Sequence, residues 1–134
     1  MSGVSFRFLV VAVAAALIGM SGGTMMAITQ DFSLAPAHAH LNLLGWVTMA
    51  LYGLFYHAVP EAARGVLPRV HFWLATCGVT LMVPGIAWTV LGHDGGERII
   101  APGALMVVCS MIVFGIVVVR SRTVARQQRV PLAA

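Results

Sequence analysis

"APAHAHLNLLGW", residues 35–46, sets two histidines two apart at the mouth of an apolar run of membrane-spanning length. An α-helix turns about 100° per residue, so residues i and i+2 point about 200° apart. His38 and His40 therefore project from nearly opposite sides of the helix that this stretch predicts. They do not converge on one metal ion as an i, i+4 pair would. Each must find its partner in a different direction, which is the geometry of a helix standing between two sites. The bland alternative puts both rings in the interfacial zone, hydrogen-bonded to water or headgroups. Two arguments stand against it. Ionisable residues at membrane depth usually face the bundle or a functional site, and two rings on opposite faces do not share one polar patch. The run that follows places Asn42, Gly45, Thr48, Tyr52 and Gly53 among large apolar side chains, and Gly45 is small enough to let a flat ligand lie against the backbone.

The rest of the chain explains why the apolar run is read as a membrane span. Of 134 residues, 60% are hydrophobic and 9% charged, and mean hydropathy is +0.94. A soluble domain carries about 25% charged residues. The composition predicts an all-α integral membrane protein, because a bilayer offers no partner for free backbone groups outside a helix or closed barrel. Four segments reach the roughly 20 apolar residues needed to cross: 6–28, 36–59, 68–92 and 99–119. Their short connections predict antiparallel neighbours. Residues 1–134 then form a single four-helix transmembrane domain, ending in a basic tail at 120–134. Gly19 and Gly23 have the GxxxG spacing that permits close helix contact. Pro84-Gly85 predicts a kink in the third helix.

Orientation follows from the arginines. Arg7, Arg64, Arg69 and Arg120 onward flank one side, while the other two loops hold Asp31, Asp94, Glu97 and Arg98. The positive-inside rule predicts cytoplasmic termini and a cytoplasmic 60–68 loop. The loops at 29–35 and 93–98 then face outward, to the periplasm if the membrane is a bacterial inner membrane. His38 and His40 sit near the outer end of the second helix. The net charge of +4 does not form a basic face with interleaved aromatics, so nucleic acid is not a predicted partner. Arg7, the apolar stretch and "APAHA" also fit a cleavable leader, but the apolar run exceeds a typical h-region. Cys77 and Cys109 fall inside apolar segments and read as small core residues.

"HAHLNLLGWVTMALYGLFY" (38–56) followed by "RVHFWLATCGVTLM" (69–82) resembles the catalytic subunit of haem–copper oxidases and their nitric oxide reductase relatives. The likeness covers roughly residues 36–92, and the HxH with "LNLLGW" is its most specific part. It implies one four-helix arc of a subunit that has three such arcs. In that family an H-x-H pair ligates the iron of two haems on either side of one helix, and His38 and His40 match it by motif. An outer-loop arginine pairs with haem propionates, which makes Arg98 a candidate; an ion pair with Asp94 or Glu97 is the alternative. A single arc is restored to the family architecture by a homotrimer, a closed cyclic assembly. His38 of one protomer would then face His40 of the next, with a bis-histidine haem b at each interface.

The family's copper site needs three more histidines at the same depth. His57 and His71 lie near the cytoplasmic helix ends, where interfacial hydrogen bonding is expected, and His93 lies in the outer loop. Copper is therefore the less favoured metal. The expectation is a haem b electron-transfer protein with an unidentified redox partner. Its cofactor-binding residues are His38, His40, Arg98, Asn42 and Gly45, and the metal ligands are His38 and His40. A gas-binding haem protein or oxidoreductase with an open axial site, a copper- or haem-handling protein, and a structural subunit are the alternatives.

Overall fold

The computed structural model describes residues 3–127, with side chains described as far as Ser121. All described elements are helical: α1 Gly3–Thr29, α2 Ala35–His40, a π-helix Leu41–Thr48, α3 Met49–Ala58, a 3-10 turn Pro60–Ala63, α4 Leu67–Val90 and α5 Glu97–Gln127. Among the described residues, α1, α4 and Glu97–Ser121 of α5 are three helices long and apolar enough to cross a membrane. The last helix extends beyond the predicted 99–119 and takes in the first part of the predicted basic tail; residues 128–134 lie outside the described residues.

The second predicted span, 36–59, differs from expectation in kind. It is helical without a break from Ala35 to Ala58 but changes pitch twice, from α2 through the π-helix to α3. Pro36 lies in the first turn of α2, where its missing N–H costs nothing. Inside the wider turn, Thr48 Oγ1 donates to the carbonyl of Leu43, five residues back, at 2.7 Å. That side chain adds a hydrogen bond of π spacing where an α-helix would pair residues four apart. Pro84 is carried inside a continuous α4.

Two close helix contacts hold the bundle. In α4 and α5 the backbones themselves meet. A Cβ at Gly78 would lie 2.9 Å from the Val107 nitrogen, and one at Gly103 would lie 2.7 Å from the Met82 nitrogen. In a bilayer such small-residue seams substitute for the hydrophobic drive that lipid removes. On the other side, α1 packs on α3 and the π-helix. A Cβ at Gly53 would lie 2.8 Å from Leu9 Cγ, and Ser5 Oγ donates to the Gly53 carbonyl at 2.9 Å. The core is filled from α4 by Pro68, His71, Phe72, Ala75, Gly78, Val79, Met82 and Gly85, an i, i+3, i+4, i+7 stripe. Phe8 of α1 is completely buried against it.

The connections place the 29–34 and 91–96 loops at one end of the bundle and the 59–66 loop at the other. In the first loop Asp31 accepts from the Ser33 amide at 2.9 Å and from the Ser33 hydroxyl at 2.6 Å. Those two donors, the hydroxyl foremost, hold the exposed Asp31 carboxyl below its ordinary value of 3.8. Positive φ at Gly92 (83°) and Gly95 (85°) turns the chain from α4 into α5.

Candidate functional site

The two histidines of α2 do not share one environment. His40 is exposed. Its Nδ1 lies 2.8 Å from the Pro36 carbonyl. A carbonyl only accepts, so Nδ1 carries the hydrogen and Nε2 of the neutral ring keeps its lone pair. Among the described residues no group takes that lone pair. A ring oriented through Nδ1 with Nε2 free is the usual preparation of a metal-ligating imidazole. Exposed Leu43, Trp46 and Val47 follow it along the π-helix.

His38 is half-buried and turned toward α1. A Cβ at Gly23 would lie 3.0 Å from its Cε1, so the ring occupies a space that only glycine leaves open. Its Nε2 lies 3.2 Å from Asn42 Nδ2, and the same Nδ2 donates to the His38 carbonyl at 2.9 Å. The carbonyl fixes which end of the carboxamide faces it, because only N–H donates. The second hydrogen of that amide therefore goes to Nε2, which is the lone-pair nitrogen of His38. Asn42 is itself pressed against α1: a Cβ at Gly19 would lie 2.6 Å from its Oδ1. The GxxxG spacing of Gly19 and Gly23 thus makes room for the side chains of Asn42 and His38.

The other predicted residues are placed apart from this pair. Gly45 is buried, with Ala15 Cβ 3.0 Å and Val79 Cγ1 3.5 Å from where its Cβ would be. The space it leaves is filled by α1 and α4, not by an opening for a flat ligand. Arg98 is exposed in the first turn of α5. It makes no ion pair with Asp94 or Glu97; among the described residues the ion pair present is Arg64–Glu61, at 2.7 Å. His93 is exposed and lies against Trp88, ring centroids 4.3 Å apart. The Trp88 indole donates to the Asp94 carbonyl at 3.1 Å. Among the described residues no three His, Cys, Asp or Glu side chains gather as a metal site.

His71 corrects the sequence reading. It does not sit at the interface but is completely buried. Its Nδ1 is hydrogen-bonded to Tyr56 Oη at 2.9 Å, and its Nε2 has no partner among the described residues. The rings of Tyr52, Phe8 and Phe114 surround it, with centroids at 4.4, 5.0 and 5.5 Å. The signal was the α4 stripe, in which residue 71 shares a face with Pro68, Phe72, Ala75 and Gly78. His57, in contrast, is exposed.

The chain is similar to curated proteins of one kind. It is 37% identical over 112 residues to the cbb3-type cytochrome c oxidase subunit CcoN1 of Stutzerimonas stutzeri, covering 66% of this chain and 23% of that protein. It is 38% identical over 91 residues to a bacteroid cytochrome c oxidase subunit 1 homolog of Bradyrhizobium diazoefficiens, covering 58% of this chain and 16% of that one. The chain thus spans less than a quarter of the length of these relatives. No family model and no solved structure matches it.

Proposed function

We propose that this haem–copper oxidase subunit I-like membrane chain is a haem b-binding redox protein that transfers electrons. The observation that carries the reading is His40: an exposed imidazole oriented through its Nδ1 on a backbone carbonyl, with Nε2 free. That donor could hold the iron, and His38 could join it only when Asn42 releases its Nε2. Haem, when bound, supplies reversible one-electron cycling of its iron. The chain's own residues would hold the iron, exclude water with the apolar face of Leu43, Trp46 and Val47, and offer Arg98 to the propionates.

Three copies around a threefold axis would set His38 of one protomer toward His40 of the next. The i, i+2 spacing, which aims the two rings to different sides of one helix, supports this arrangement. We place the four spans in a bacterial inner membrane with cytoplasmic termini, on the distribution of arginines. A second reading, a haem with an open axial position for a diatomic gas, is favoured by the hydrogen bond that occupies His38.

The test is a reduced-minus-oxidised spectrum of protein purified after haem-supplemented expression. A sharp α-band is expected in the wild type and in His57→Ala, and none in His40→Ala. A colourless wild type, or equal haem in the three proteins, overturns the reading.

A further inference from the structure

The proposed haem site contains a feature that a simple pair of ligands does not need. Asn42 spends both amide hydrogens on one residue, at 2.9 Å to the His38 carbonyl and 3.2 Å to its ring Nε2. The lone pair that would bind a metal is the one that accepts the second hydrogen. A nitrogen has one such lone pair, so hydrogen bonding and metal ligation exclude each other. The Asn42 Oδ1 lies close to the Gly19 backbone, so the amide stays beside His38 until the carboxamide turns about its own side-chain bonds. His38 is likewise backed by Gly22 and Gly23. His40 carries no such competitor.

We propose that Asn42 is a gate on His38, a positioning residue that makes the two histidines unequal ligands. His40 is the anchoring ligand and is available at all times. His38 binds only when the carboxamide turns away, and it returns to Asn42 when a competing ligand takes its place on the metal. The inference rests on the haem reading only for the identity of the metal that His38 awaits; the competition for its lone pair belongs to the protein alone. A net hydrogen bond of ordinary strength corresponds to roughly a two- to tenfold equilibrium bias. The site is thereby suited to exchanging one axial ligand for a diatomic gas without losing the cofactor.

Asn42→Leu keeps the bulk against Gly19 and removes both donors. In the full-length, haem-free protein, the readout is acylation of individual histidines by diethyl pyrocarbonate, followed by mass spectrometry. Wild-type His40 is expected to react fast and His38 slowly, and Asn42→Leu is expected to speed His38 about fivefold with His40 unchanged. In the haem-loaded protein, Asn42→Leu is expected to weaken carbon monoxide binding by about fivefold, because iron then holds His38 more firmly. A His38 acylation rate unmoved by the substitution overturns the gate, whatever the haem content. Faster acylation of His38 in a protein that takes up no haem upholds the gate and removes the haem reading instead. Faster acylation with carbon monoxide affinity unchanged overturns the gate as a control of ligand exchange.

Discussion

His40 and His71 each hold one ring nitrogen in a hydrogen bond, to the Pro36 carbonyl at 2.8 Å and to Tyr56 Oη at 2.9 Å. They differ in what surrounds the other nitrogen. At His40 it faces outward from an exposed position. At His71 it is enclosed by Phe8, Tyr52 and Phe114 and has no partner. The same side chain thus stands with a free ring nitrogen at one end of the bundle and serves packing at the other. The first setting leaves a donor available for the proposed ligand. The second ties α1, α3, α4 and α5 together around one ring.

The sharpest way to break that division is Phe8→Ala. Phe8 touches the rings of Tyr52, Tyr56, His71 and Phe72 at once. Its removal is expected to cost about 3–5 kcal/mol, measured by denaturant unfolding in micelles. A loss of less than about 1 kcal/mol would mean that the aromatic cluster does not organise the core. Tyr56→Phe is the next in size. It leaves the packing and strands His71 Nδ1, which predicts a loss of about 1–3 kcal/mol. Haem content should be unchanged; a bleached Tyr56→Phe protein would merge the two histidine roles that the structure separates.

The smallest effect belongs to the loop that precedes His38 and His40 in the chain. Asp31 is held below 3.8 by Ser33. A lowered carboxylate contributes its stabilisation above the ordinary value and loses it as pH falls through the lowered one. Carbon-13 titration of the Asp31 carboxyl should show a midpoint below 3.8, and Ser33→Ala should bring it back up. An unmoved midpoint would show that the Ser33 donors do not hold the Asp31 carboxylate.

Three membrane-length helices were legible in composition alone, because a bilayer leaves few alternatives to helix. The α4 stripe was legible too, yet His71 was misread. Its flanking arginine at position 69 and its place near a span's end suggested the interface, while the helical period put it in the core. GxxxG spacing at Gly19 and Gly23 announced a close contact without saying that Asn42 and His38 would fill it. The small residues Gly78 and Gly103 went unread as a seam because they lie on separate helices and become neighbours only in three dimensions. The π-helix had no local signature: "LNLLGWVT" contains nothing that excludes an α-helix.

That widened stretch, Leu41–Thr48, separates α2, which bears His38 and His40, from the Tyr52 and Tyr56 rings on α3. Because it winds differently from the pieces it joins, it acts as a phase shifter on a single rod. The azimuth of the imidazoles is offset from the one that an unbroken α-helix would give them relative to the tyrosines. The histidine end and the aromatic end of this rod therefore hold an angular relation that the π turn, and not the α period, sets.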